Sequence, residues 1–216
     1  PLEVESSVGS IFTQDWTPDY YPESCPPSSR TQLKFAASEK NPSEVKLNWT
    51  DGGLRPFHPE LIPADHPIGD ENSANGVMMI GEKGIMTCGT YGRNAKIYLN
   101  TGEIITPKES VEPENTITLP ENGHHSQWVE ACKSGYGSEK HKALTSSFDF
   151  AGPLTESILM GNLAIRSYNY REKAGNSYEY PGRKKLLWDG ANMKITNFEP
   201  ANQFVKRTYR EGWKLV

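Results

Sequence analysis

Residues 148–166 constrain the fold most. Leu154, Ile158, Leu159, Leu163 and Ala164 recur there at helical spacing, the stripe of an amphipathic helix. Gly152 offers an N-cap and Pro153 a first helical residue, where a missing N–H costs nothing. Glu156 then sits near the positive end of the helix dipole. Gly161 predicts the close approach of another backbone or a large ring. A long apolar stripe this late in the chain needs a surface to cover, and the first half supplies one in a different period.

That period is two. Leu2, Val4 and Ser6 alternate with Glu3 and Glu5, the pattern of a half-buried strand. Residues 32–36 and 45–49 alternate likewise around a turn-rich hinge, so they read as a hairpin with a longer loop. Residues 77–80 and 85–88 flank Gly81-Glu82-Lys83-Gly84 as a second hairpin, and 95–98 make a further short strand. Three proline-bearing stretches, 15–29, 51–75 and 100–122, cannot serve a central ladder and read as long surface loops. A helix is predicted over 126–135, with Trp128, Val129 and Cys132 on one face and Gly135 as its stop. After the long helix, 186–188 and 193–195 read as strands around Asp189-Gly190, and 200–210 as a short closing helix. Trp188, Tyr209 and Trp213 read as core or interface anchors. Strands, then helices, then a last pair of strands predict an α+β fold: an open, mostly antiparallel β-sheet with helices on one face.

The 216 residues suit one large domain or two small ones on a prior of roughly 100–200 residues per domain, and one domain over 1–216 is the expectation. A net charge of -4 argues against a nucleic-acid partner. The apolar runs fall far short of the ~20 residues a membrane span needs. Three widely spaced cysteines, Cys25, Cys88 and Cys132, make no disulfide framework and no zinc motif, so reduced thiols are expected. Asn48-Trp49-Thr50 matches a glycosylation sequon, but Asn48 falls in a predicted strand. The chain opens inside a strand pattern, which reads as a piece of a longer protein.

Little of the chemistry is explicit. Gly81, Gly84, Gly89 and Gly92 do not have dinucleotide-fingerprint spacing, and no helix pattern follows them. Hairpin turns account for them. His58 and His66 share a loop with Glu60 and Asp65, at no recognised metal-ligand spacing. His124 and His125 stand at a helix start, facing solvent or substrate. Asp70 to Gly76 has a calcium-loop composition with its glycine one place late. No nucleophile motif occurs, and no catalytic or metal-binding residue is assigned. The most chemical stretch is Trp49-Thr50-Asp51-Gly52-Gly53-Leu54-Arg55-Pro56-Phe57-His58. An aromatic face, an acid and an arginine suit a polyol pocket; the stretch reads equally as a hairpin turn followed by a proline-rich connector. Tyr91 and Arg93 form a second such group. The candidate substrate-side residues are thus Trp49, Asp51, Arg55, His58, Tyr91 and Arg93.

Seven pieces together carry a resemblance: residues 45–53, 76–84, 88–92, 128–135, 148–166, 188–190 and 210–213. In that order the chain resembles the C-terminal domain of Gfo/Idh/MocA oxidoreductases, in the form common in bacterial carbohydrate-using lineages. The resemblance implies a substrate and oligomerisation domain whose N-terminal Rossmann partner, which binds NAD or NADP, is absent here. It implies a sugar or polyol substrate and a homo-oligomer built through the open sheet face. It carries over no catalytic residue, since the family's proton-transfer groups lie upstream. The fragment alone is expected to bind no cofactor. A branch of the family acts as NAD-dependent glycosidases, and a stand-alone carbohydrate-binding module is a further alternative. Residues 169–183 depart from the shorter link the family implies.

Overall fold

The computed structural model describes residues 1–39, 41–73, 75–106 and 122–213. Most of the third proline-bearing stretch lies outside them. The strands are β1 (Glu3–Val8), β2 (Phe12–Gln14), β3 (Thr17–Pro18), β4 (Ser29–Phe35) and β5 (Val45–Thr50), then β6 (Val77–Gly81), β7 (Gly84–Cys88), β8 (Lys96–Leu99) and β9 (Ile104–Ile105). Helices α1 (Gly123–Ser134), α2 (Glu139–Lys142) and α3 (Phe148–Tyr168) follow, then β10 (Glu172–Ala174), β11 (Ser177–Glu179), β12 (Leu186–Asp189) and β13 (Lys194–Ile195). The fold is α+β, and every described strand pair is antiparallel. The chain forms two compact units, Pro1–Leu54 with His124–Val216, and Arg55–Gly123.

The first unit is a five-stranded sheet in the order β13-β12-β1-β4-β5, with α3 packed on β1 and β4. Period-two alternation sends Val4, Leu33 and Leu186 to the helix side, in register with one another. They meet Met160, Leu163 and Ala164 of α3 and, beside them, Trp188, Ile195, Phe198 and Ala201. Each large side chain buried there contributes about 1.5–3 kcal/mol. The opposite face carries Glu3, Glu5, Arg30, Gln32, Lys34, Lys46 and Asn48 in neighbouring register positions. Glu3 pairs with Lys185 and Lys34 with Glu44, so this open face is polar and laced with ion pairs.

Helix α3 differs from its expected form in three ways. It begins at Phe148, with Ser147 as N-cap, not after Gly152. The Phe150 and Ala151 amides donate to the Ser147 carbonyl at 3.1 and 2.8 Å, so the first turn closes before Pro153 is reached. The buried face is Met160, Leu163, Ala164 and Ser167, while Leu154, Ile158 and Leu159 remain exposed. Of the stripe, Leu163 and Ala164 join the core, with Met160 beside them. A Cβ on Gly161 would meet Thr31 Cγ2 at 3.9 Å, an ordinary contact, so this glycine is not the site of a close approach.

Other expectations shift for local reasons. Helix α1 docks through Ala131, and Gln127 on the same face bonds Ala143 and Thr145. Trp128, Val129 and Cys132 therefore face outward. The closing helix is a short 3-10 segment, Glu199–Phe204, and Tyr209 and Trp213 beyond it are exposed. Trp188 is the one anchor of the three that is buried, its indole N–H donating to Glu156 at 2.7 Å. Residues 169–183 hold the hairpin β10–β11. All three cysteines are free thiols. Among the described residues, no helix is long and apolar enough to cross a membrane.

The second unit is the four-stranded sheet β6-β7-β8-β9. Ile62 from the proline-bearing loop seals one face against Ile85 and Tyr98. His66 Nδ1 lies 3.1 Å from the Tyr98 hydroxyl and fastens the same loop. The other face presents Val77, Met79, Met86, Ile97 and Ile105 in adjacent register positions, with Val77 and Met79 exposed.

Candidate functional site

The six nominated residues divide between the two units. Trp49 and Asp51 belong to the first, and Arg55, His58, Tyr91 and Arg93 to the second. Trp49 sits on edge strand β5, opposite Thr31 and on the helix side of the sheet. Helix α3 does not reach over β5, so the indole is 61% exposed.

Asp51 has a bonded role. Its carboxylate accepts from the Ser29 amide at 2.6 Å, and both of its oxygens accept from the Ser29 hydroxyl at 3.0 Å. Ser29 is buried, and the bonds close the β4–β5 ladder where Gly52 turns the chain at a φ of 62°. A Cβ on Gly52 would strike the Pro27 carbonyl, which requires a glycine there. Of the two readings of this stretch, the turn describes Asp51, and the exposed aromatic survives at Trp49.

In the second unit, His58 turns inward on its own loop. Its Nδ1 lies 3.2 Å from the Pro59 carbonyl and its Nε2 lies 3.0 Å from the His66 carbonyl. Arg55 is exposed. Tyr91 stands 92% exposed at a φ of 60°, a left-handed conformation that non-glycine residues seldom adopt. The Arg93 guanidinium lies 5.7 Å from its ring centre.

The organiser of the Tyr91–Arg93 loop is Asp70, which sequence reading weighed only as part of a calcium loop. Its carboxylate accepts from the Thr90 hydroxyl and, at 3.1 Å, from the Thr90 amide. The Thr90 hydroxyl, more than any other neighbour, holds the Asp70 carboxyl below its ordinary range, with Ser73 and the Arg93 charge adding to it. A Cβ on Gly89 would collide with this carboxylate. Asp70 therefore spends its charge on loop geometry.

A further concavity lies in the first unit and contains none of the six. It is a cleft of about 170 Å³ lined by Tyr20, Pro22, Glu23, Arg166, Tyr170, Gln203 and Phe204. Tyr20 lies in the proline-bearing stretch 15–29, and Arg166 and Gln203, distant in sequence, carry no signal of meeting there.

Among the described residues every strand pairing is antiparallel, and no parallel strand–turn–helix unit is present. Among the described residues, no three His, Cys, Asp or Glu side chains gather closely enough to hold a metal ion. No family model matches the chain, and no curated protein matches it.

Proposed function

We propose that this chain is the C-terminal substrate and oligomerisation domain of an NAD(P)-dependent oxidoreductase acting on a sugar or polyol. The observation that carries the reading is the union of two pieces of the resemblance. Helix α3 packs on an antiparallel sheet, and Glu156 within it accepts the Trp188 indole N–H from the Trp188-Asp189-Gly190 strand. These pieces lie far apart in sequence, and their bond makes them one structural unit. The exposed Trp49, Tyr91 and Arg93 at strand ends support a substrate-facing role for the loops after β5 and β7. On this reading the Rossmann domain of the longer protein binds the nicotinamide and supplies the proton-transfer groups.

The assembly belongs to the same proposal. The four-stranded sheet offers an apolar open face, with Val77 46% and Met79 55% exposed, and such patches mark contact surfaces. The charged open face of the five-stranded sheet is poorly suited to an apolar contact.

The deciding experiment assays the longer protein carrying this chain for NAD(P) reduction against a panel of sugars and polyols. Turnover of one of them is expected, with no NAD(P) binding by residues 1–216 alone. Tight NAD binding by these 216 residues, or a longer protein with no nicotinamide-linked activity, overturns the reading.

A further inference from the structure

We propose that the cleft beside Arg166 is a binding site for a single neutral sugar ring or a cyclic polyol of that size. The site goes beyond the oxidoreductase reading and needs no nicotinamide. Three observations carry it. The first is size: about 170 Å³ is small against the ~300–1,000 Å³ of ordinary ligand pockets, which suits one ring and excludes an extended chain.

The second is the polar lining. Arg166 and Glu23 are paired at 2.9 Å, and Gln203 and Tyr170 line the same cleft. A guanidinium donates only, a carboxylate accepts only, and an amide does both. A ring hydroxyl donates and accepts, so vicinal hydroxyls match this mixed set. The Gln203 amide donates one N–H to the Pro200 carbonyl at 2.8 Å and keeps a second N–H and its acceptor oxygen. Arg166 and Glu23 are partly and largely exposed, and a pair so placed is weakly held and open to exchange.

The third is the apolar lining. Tyr20, Tyr170 and Phe204 supply faces against which sugar C–H groups pack. Each ring is braced by a neighbour. Arg171 lies 3.5 Å from the Tyr20 ring centre, Arg166 lies 4.7 Å from that of Phe204, and Tyr170 meets Phe198 edge-on. A pre-set wall lowers the ordering cost of binding.

Charge selects a neutral ligand. Arg166 is matched by Glu23, and Glu172 accepts the Tyr170 hydroxyl. Among the lining residues the one cation, Arg166, is paired with the one carboxylate, Glu23, so a phosphate dianion meets no unmatched positive charge there.

The test is an amide-resolved NMR titration of the full chain with glucose, galactose, mannose and myo-inositol, and with glucuronate and inorganic phosphate as charged probes. At least one neutral probe is expected to give saturable shifts at millimolar concentration, centred on residues 20–23, 166–170 and 203–204. Arg166→Gln and Gln203→Ala should each weaken it about fivefold to tenfold, the size of a lost hydrogen bond. Tyr170→Phe, which keeps the ring, should cost less, and Trp49→Ala and Arg93→Ala nothing. The absence of saturable shifts with every neutral probe overturns the proposal. So does tighter binding of phosphate or glucuronate, or unchanged affinity in a folded Arg166→Gln chain. Failure of nicotinamide-linked turnover in the longer protein leaves this result standing, so the two readings fall separately.

Discussion

Gly161→Ala separates what sequence and structure say about helix α3. The sequence reading makes Gly161 a point of close approach, where an added methyl would clash. The structure places the nearest heavy atom, Thr31 Cγ2, 3.9 Å from that methyl. With no clash, the helix-interior difference between glycine and alanine governs, about 0.5–1 kcal/mol in favour of alanine. For a chain of this length each kcal/mol moves the melting temperature by about 2–4 °C. The expected shift is therefore about 1–4 °C upward. Gly182→Ala supplies the contrast in the same compact unit. Its methyl would strike the Ser167 carbonyl and approach Phe198 Cε1 at 3.1 Å. Ser167 is wholly buried and its neighbour there is backbone, so relief requires moving the end of α3. Overpacking of this kind costs about 1–3 kcal/mol, or roughly 2–12 °C downward. Calorimetry on both variants, with urea unfolding as a second measure, reads the two signs. A Gly161→Ala chain that melts lower than the parent would refute the packing of α3 on β4 described above.

Asp51→Ala should strip buried Ser29 of its amide and hydroxyl partners and destabilise by about 1–3 kcal/mol, seen as faster hydrogen exchange at the Ser29 amide. Trp188→Phe keeps an aromatic ring but loses the indole N–H and its charge-assisted bond to Glu156, which should lower urea stability by about 1.5–3 kcal/mol. The Asp70 carboxyl is held below its ordinary range, so its stabilising effect is present above the unfolded value and lost as pH falls through the folded one. The Thr90 amide should accordingly shift and exchange faster only below pH about 4, and Asp70→Asn should remove that dependence. Met79→Lys, placed in the exposed apolar face of the four-stranded sheet, should yield a monomer in sedimentation; a wild-type chain that is monomeric at every concentration would sink the assembly proposal.

The strands were legible because their signal is local. Val4, Leu33 and Leu47 alternate with charged or amide neighbours, and the structure pairs them on one face. The α+β order followed from the same periods. Which stripe of a helix is buried is a different kind of fact. Leu154 and Ile158 are as apolar as Leu163, and only the extent of the sheet beneath decides between them. The division into two units was hidden for the same reason, since it depends on which loop caps which sheet. Ile62 closes the second core from within a proline-bearing stretch that carries no periodic signal.

The site residues sharpen this point. Asp51 and Asp70 look alike in sequence: short acids beside turns, equally able to bind a ligand or a backbone. Each proves to be bonded to the strand or loop next to it, Asp51 to Ser29 and Asp70 to Thr90. An acid that accepts a backbone amide and a hydroxyl has its acceptor capacity largely filled, and a ligand must displace those bonds to use it. Arg166 and Glu23 are in the opposite position. Their partnership spans 143 residues of chain, sits beside open space and is held by a single exposed ion pair. A ligand displaces that pair far more cheaply than it displaces the bonds of Asp51. The acids that were conspicuous in the sequence are thus committed to the fold, and the polar groups that remain free to exchange partners are those that only the tertiary structure brings together.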